Sequence, residues 1–407
     1  MARQPEHVLV VGAGLGGLRS VEQLRAAGFQ GRISMVGAER HPPYDRPPLS
    51  KQMLTGEWGP ERVVLRDADA LDDLGVRLHL GIEATALRPG QVELADGATL
   101  HGDAVVLATG LVARCLPGQP VGVHTLRTLD DALALRTTLE RARSLLVIGG
   151  GFIGSEVAGA ARGRGIDVTV LEAAPVPLAR ALGPQLGVLC GRLLTDAGVD
   201  LRTGVVIARF LDAGSCVAVE LADGTRVEAD ATVVGIGGVP RLDWLADTGL
   251  DLTDGLACGP SGRVHGLDGV WAVGDVAAWD PPAADDRRPA RRRHEHWTSA
   301  GDQAAAVARD ILGAVPRPAA VPYFWSDQFG TKIQMFGRPE LADAVVALHG
   351  AGLSGGEVPG TIAGYLAGDR LTAVVGFGAA RRMARYRPLV ARGADRAETL
   401  RTAAELT

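Results

Sequence analysis

Two stretches of this chain space their glycines as a phosphate cradle does. The first reads His7-Val-Leu-Val-Val-Gly12-Ala-Gly14-Leu-Gly16-Gly17, and the second Leu145-Leu-Val-Ile-Gly149-Gly-Gly151-Phe152-Ile153-Gly154. In such a run the first glycine makes the tight turn, the second lets a pyrophosphate reach the backbone, and the third lets the helix pack on its strand. The helix N-terminus then holds the anion through free N–H groups and its dipole. One G-x-G-x-x-G is weak evidence. Here both copies follow a short apolar run and precede a helical pattern. Two cradles imply two dinucleotides on one protein, and the natural joint use of such a pair is electron transfer.

The elements that must position these groups repeat the same plan twice. A helix over residues 15–27, closed by Gly28, precedes a strand at Arg32-Ile-Ser-Met-Val-Gly that leads to Glu39, a candidate partner for an adenosine ribose. The second helix spans residues 152–164 and is followed by the strand Asp167-Val-Thr-Val-Leu171, which ends at Glu172. A carboxylate there accepts ribose hydroxyls and repels a 2′-phosphate. Ala173 and Ala174 follow with no adjacent arginine, so NADH is expected rather than NADPH. Arg180, further on, is either a pyrophosphate partner or a solvated arginine. A third short strand, Gly269-Val-Trp-Ala-Val-Gly274-Asp275, ends in an aspartate able to bond a polyol such as a flavin ribityl chain. Two more strands end in glycine, at Thr109-Gly110 and at Gly235-Ile236-Gly237, where backbone can approach a cofactor.

Composition narrows the class. With 46% hydrophobic and 22% charged residues the 407-residue chain can build two or three real cores. Its net charge of −5 gives no general drive toward nucleic acid or membrane. No apolar run approaches the roughly 20 residues of a membrane-spanning helix. The first strand begins by residue 7, leaving no room for a signal peptide, so a cytoplasmic location is expected. Cys115, Cys190, Cys216 and Cys258 are scattered, with no C-x-x-C and no metal-ligand spacing. Only Lys51 and Lys332 are lysines among 42 basic residues, which singles out Lys51. The Pro47-Pro48 pair after Asp45-Arg46 makes a rigid extended turn that can present Lys51 into a cleft. A buried lysine needs a partner, and Glu156 is a plausible one.

Three further stretches are more specific than the glycines: Pro43-Tyr44-Asp45-Arg46-Pro47-Pro48-Leu49-Ser50-Lys51, Glu295-His296-Trp297-Thr298, and Tyr323-Phe324-Trp325-Ser326-Asp327-Gln328. With the order of the glycine motifs, they make the chain resemble, over essentially its whole length, the two-dinucleotide-binding-domain flavoproteins of the pyridine nucleotide-disulphide oxidoreductase superfamily. Within that group it looks like the NADH-dependent ferredoxin reductases of bacterial oxygenase systems. The resemblance implies an α/β fold with two Rossmann-like, glutathione-reductase-like domains and a C-terminal α+β domain. The boundaries expected are 1–112 and 252–320 for FAD, 113–251 for NAD and 321–407 for the last domain. It implies that Arg46 and Lys51 contact FAD, with Lys51 near the reactive edge of the isoalloxazine. Arg127 is expected against the flavin phosphates or ring edge, and Asp275 on the ribityl. Glu295, His296 and Trp297 should lie near the pyrimidine side and the nicotinamide. Ala84 joins the FAD contacts, and Phe152, Ile153 and Ile236 those of NAD. Glu156 should face Lys51, and Trp325 should mark the electron exit. Lys51, Glu156 and Trp325 are thus the catalytic candidates. Two positions depart from the family pattern: the acid after the second strand comes at Glu39 rather than position 38, and Gly376-Phe-Gly-Ala-Ala-Arg-Arg differs from the usual form.

The implied activity is hydride transfer from NADH to FAD, then single-electron transfer to a [2Fe-2S] ferredoxin serving a cytochrome P450 or a ring-hydroxylating oxygenase. Disulfide reductases need paired thiols beside the flavin, and residues 40–55 contain no cysteine. The alternatives are a rubredoxin reductase or a redox-responsive binding protein that holds FAD and NADH without a dedicated acceptor. For docking an acidic ferredoxin, the run Arg287, Arg288, Arg291, Arg292, Arg293, together with Arg381, Arg382, Arg385 and Arg387, supplies positive charge.

Overall fold

The computed structural model describes residues 4–213, 216–281, 291–315 and 320–406, with the side chains of 212, 213, 216 and 292 left aside. Its chain divides into two compact units: Met1–Asp45, Val63–Val112 and Val239–Ala320 form one, and Arg46–Arg62, Ala113–Gly238 and Val321–Thr407 the other.

The first unit is built on a five-stranded parallel sheet in the order Val270–Ala272, Ala104–Leu107, His7–Val11, Arg32–Gly37, Val76–Leu80. The central strands are apolar without alternation, because a parallel sheet is covered on both faces. Val8 and Val10 enter one core with Leu18, Val21 and Leu24 of the first-cradle helix, Leu15–Ala26, and with Val307 and Ile311 of the helix Trp297–Ile311. Leu9 and Val11 face a second core with Leu87, Val92 and Leu94 of a small antiparallel sheet. The first-cradle helix stops one residue short of the expected Ala27, whose ψ of 1° has left the helical range.

The second unit repeats the parallel sheet in the order Asp200–Thr203, Asp167–Glu172, Ser144–Ile148, Ala231–Val234, His124–Thr125. The second-cradle helix, Phe152–Gly163, runs from its central strand. The last eighty-odd residues form a five-stranded antiparallel sheet, Tyr323–Gln328, Thr331–Gly337, Arg370–Phe377, Ile362–Ala367, Ala344–His349. The helix Ala380–Arg392 covers one face through Met383, Tyr386 and Leu389. Among the described residues no helix is long and apolar enough to cross a membrane.

The helix Leu129–Leu139 shows how the sequence sets an element start. Thr128 Oγ1 accepts from Asp131 N, and Asp131 Oδ2 accepts from the N–H groups of Thr128 and Arg127. Three orphan donors are satisfied, and Arg127 is pinned. Thr128→Ala should therefore lower stability by about 1 kcal/mol, read as a lower urea midpoint with unchanged slope; an unchanged midpoint would count against the cap.

Candidate functional site

In the first cradle Gly12 has φ +118°, and a Cβ there would lie 2.2 Å from Ala108 O. A Cβ on Gly17 would lie 1.9 Å from Gly12 O, so helix and turn touch backbone to backbone. Gly14 is the N-cap, and no side chain caps this helix and no acid sits in its first turn. Gly16 has less need of its type: its Cβ would meet Val273 Cγ2 at 3.3 Å, with Ala108 Cβ and Val273 O at ordinary contact distances of 3.6 and 3.7 Å. At the end of the neighbouring strand, Thr109 Oγ1 is buried with no hydrogen-bond partner among the described residues, and Gly110 takes φ +66°. An uncapped helix start beside an orphaned hydroxyl at the C-terminal edge of a parallel sheet fits a bound dinucleotide phosphate. Glu39 lies just past the second strand, where its Oε2 accepts from Tyr44 OH at 2.5 Å.

The second cradle is a close copy. Gly149 has φ +108° and would place a Cβ 2.4 Å from Gly235 O; a Cβ on Gly154 would fall 1.9 Å from Gly149 O. Gly151 is the N-cap, again with no side-chain cap and no acid in the first turn. Glu172 reaches into this turn: its Oε2 accepts from Gly150 N at 2.6 Å and its Oε1 from Ala174 N at 2.7 Å. Leu178 N donates to Gly150 O at 3.2 Å, which ties the start of the next helix, Ala179–Asp196, to the same glycines. Arg180 in its first turn is exposed and makes no hydrogen bond or ion pair among the described residues. Ile236 flanks the turn, its Cγ2 3.2 Å from where a Gly149 Cβ would stand, Ile153 is 40% exposed, and Gly237 has φ +94°.

Around Asp275 the geometry is set by residues the sequence did not single out. Asp275 sits in the turn Gly274–Val276; Gly274, at φ +74°, donates its N–H to Gln303 Oε1 at 2.7 Å. Gln303 is buried, so it fixes this turn to the helix Trp297–Ile311. His296 is that helix's N-cap through its backbone alone. Trp297 Nε1 donates to Asp45 Oδ1 at 2.7 Å, and the Arg19 guanidinium lies 5.6 Å from its ring centre. Ala84 opens a strand of the small antiparallel sheet, opposite Leu94.

The basic run reads differently in three dimensions. Arg293 is not a free surface charge: its side chain is 9% exposed and pairs with Asp254 at 3.0 Å and Glu295 at 2.7 Å, while its Nη1 also donates to Asp275 O. Packing buries it, and two carboxylates neutralise it. Arg291 pairs with Asp280 at 2.8 Å. Arg287, Arg288 and the Arg292 side chain lie outside the described residues.

In the second unit Lys51 Nζ lies 2.9 Å from Glu156 Oε2, with the two side chains 13% and 4% exposed. Lys51 also donates to Pro47 O at 3.1 Å. The turn Pro47–Ser50 that presents it starts at Arg46, whose Nη1 donates to Arg127 O. Trp325 lies on the strand Tyr323–Gln328, half-buried and stacked on Tyr323 at 5.9 Å. Burial pushes the Cys190 and Cys258 thiols up to about 12, so both are inert at neutral pH. Among the described residues no cluster of His, Cys, Asp or Glu could hold a metal ion.

Comparison with known proteins shows the family. Residues 6–304 match the model of the pyridine nucleotide-disulphide oxidoreductase family, and residues 323–405 match a reductase C-terminal domain. The ferredoxin reductase component of a chlorobenzene dioxygenase from Cupriavidus sp. (strain PS12) is 40% identical, covering 82% of this chain and 81% of that one. Rhodocoxin reductase of Rhodococcus erythropolis is 38% identical, covering 83% and 80%. The solved covalent complex of putidaredoxin reductase with putidaredoxin superposes with a TM-score of 0.90 at 32% identity, over 98% of each chain. The chain belongs to the pyridine nucleotide-disulphide oxidoreductase family.

Proposed function

We propose that this protein is an NADH-dependent ferredoxin reductase that holds FAD in its first cradle. The observation that carries the reading is the pair of backbone-tight glycine turns, each opening an uncapped helix, on a chain with no thiol in residues 40–55. The bound flavin supplies the conversion of a two-electron donation by NADH into single-electron delivery to an iron–sulfur protein. The relatives named as ferredoxin reductase components of dioxygenase systems support that class.

The chain's own residues supply binding, orientation and charge. Gly12, Gly14 and Gly17 open the first turn to a pyrophosphate, Glu39 meets the adenosine ribose, and Thr109 and Asp275 face the flavin's polar chain. Glu295, His296 and Trp297 are the further flavin contacts of the same unit, and the resemblance adds Arg46 and Arg127 as flavin-binding candidates. By the resemblance, Lys51 is the cation that would stabilise negative charge on a bound flavin. Gly149, Gly151 and Gly154 cradle NADH, Phe152 and Gly235 border it, and Arg180 is its pyrophosphate partner. Glu172, already pinned by two N–H groups, presents its remaining lone pairs to ribose hydroxyls and repels a 2′-phosphate. The FAD domain is taken as 1–112 and 252–320, the NAD domain as 113–251 and the C-terminal domain as 321–407, in the cytoplasm.

For the acceptor, a [2Fe-2S] ferredoxin serving an oxygenase or a P450, the helix Ala380–Arg392 offers the steering charge. Its Met383, Tyr386 and Leu389 are buried, while Arg381, Arg382, Arg385 and Arg387 are exposed. Small ferredoxins are generally acidic, so this face raises the encounter rate.

Cytochrome c reduction by NADH, run with a panel of ferredoxins, tests the reading; the rate should depend on a [2Fe-2S] ferredoxin, and equal rates without one would favour a binding protein. Gly154→Val should abolish bleaching by NADH while dithionite still bleaches the retained flavin; loss of both would place the defect in folding. Arg381→Glu with Arg385→Glu should slow ferredoxin reduction about tenfold at low salt and leave ferricyanide reduction intact, whereas equal loss on both acceptors would refute the docking face.

A further inference from the structure

One carboxylate draws donors from two separate stretches of chain, 50–51 and 326–327. Glu156 is 5% exposed on the second-cradle helix. Its Oε2 accepts from Lys51 Nζ and from Ser50 Oγ. Its Oε1 accepts from Ser326 Oγ at 2.5 Å and, more distantly, from Asp327 N at 3.4 Å. Ser326 is fully buried, and Gln328 Nε2 donates to its oxygen at 3.1 Å. That bond occupies one of the serine's two acceptor lone pairs, and its one proton goes to the carboxylate.

The contact is part of a wider fit. Phe152, Glu156 and Gly159 recur at the spacing of one helix face. Phe324 and Ser326 share one face of their strand, as alternate residues do. Phe152 meets Phe324 edge-on at 4.8 Å, Glu156 meets Ser326, and a Cβ on Gly159 would stand 3.5 Å from Phe329 N. Phe329 and Gly330, with φ 49° and 75°, form the two-residue turn between the paired Gln328 and Thr331, a geometry that requires positive φ at both positions. The hairpin tip is thereby held against the coenzyme-cradling helix.

We infer that Ser326, from the C-terminal sheet, is a positioning residue: it fixes the Glu156 carboxylate, and through it the Lys51 ammonium. Ser50 does the same from the other oxygen. A buried charge pair keeps its geometry only while its remaining lone pairs are occupied. Without Ser326 the carboxylate can turn, and Lys51 follows it. The inference rests on the proposed function only in taking Lys51 to act on the bound flavin.

The test compares wild type and Ser326→Ala holoprotein by two readouts. The flavin midpoint potential is measured against reference dyes with no NADH present. The rate of anaerobic bleaching is measured over a range of NADH. Ser326→Ala should disfavour the reduced flavin about tenfold, a potential roughly 30 mV lower for two electrons, and slow maximal bleaching by a similar factor with unchanged half-saturating NADH. A potential equal to wild type would overturn the inference, since a serine that only fills space leaves it unmoved. Should Ser326→Ala fail to retain flavin, Ser50→Ala is measured the same way, with the same shift expected and the same null result decisive. Failure of the wild type to bleach with NADH would instead strike the proposed function, which the dye measurement does not use.

Discussion

Both cofactor cradles depend on one constraint: backbone must touch backbone at the strand–helix turn. Gly17 and Gly154 each stand where a Cβ would fall 1.9 Å from the carbonyl of the first glycine of their motif. No side chain can be accommodated at that distance, so the helices can start close to their sheets only with glycine there. The same closeness aims the free N–H groups of both helices past the sheet edge, where no cap and no acid competes for them. An anion placed there satisfies groups that the protein itself leaves open.

A second constraint organises the residues around Lys51. A buried ammonium is tolerable only when paired, and its pairing carboxylate only when its own lone pairs are filled. Glu156 meets both conditions by collecting Ser50 and Lys51 from the segment 46–62 and Ser326 from the C-terminal sheet. The reductase C-terminal domain therefore contributes to the order of the coenzyme-binding helix, beyond whatever surface it offers an acceptor. The Phe152–Phe324 contact and the hairpin tip at Gly159 make the same join in apolar terms.

What the sequence made legible follows its local signals. The glycine spacing, the apolar strands and Glu172 at a strand end all depend on near neighbours, and the two cradle helices and the strands flanking them lie where their patterns put them to within a residue, whereas the strands expected to run to Gly110, Gly237 and Asp275 stop at Leu107, Val234 and Ala272. The final helical positions differ because Ala27 and Arg164 have ψ near 0° and act as C-caps. Lys51 stood out by its rarity, and the structure brings it to Glu156. Ser50 and Ser326 lay inside the quoted motifs yet drew no notice, because a serine's role is set by a partner 106 or 170 residues away. Gln303 escaped for the same reason. Arg293 was misread in the opposite direction: a charge run says nothing of burial, and its partner Asp254 lies 39 residues upstream.

The central claim is that this chain binds a flavin and that NADH reduces it. Anaerobic titration of the purified yellow protein with NADH, followed at the flavin absorption band, tests it most directly. The account predicts that one equivalent of NADH bleaches each bound FAD, and that NADPH does so far less readily. A protein that arrives colourless and takes up no FAD, or whose bound flavin stays oxidised under excess NADH, would contradict it.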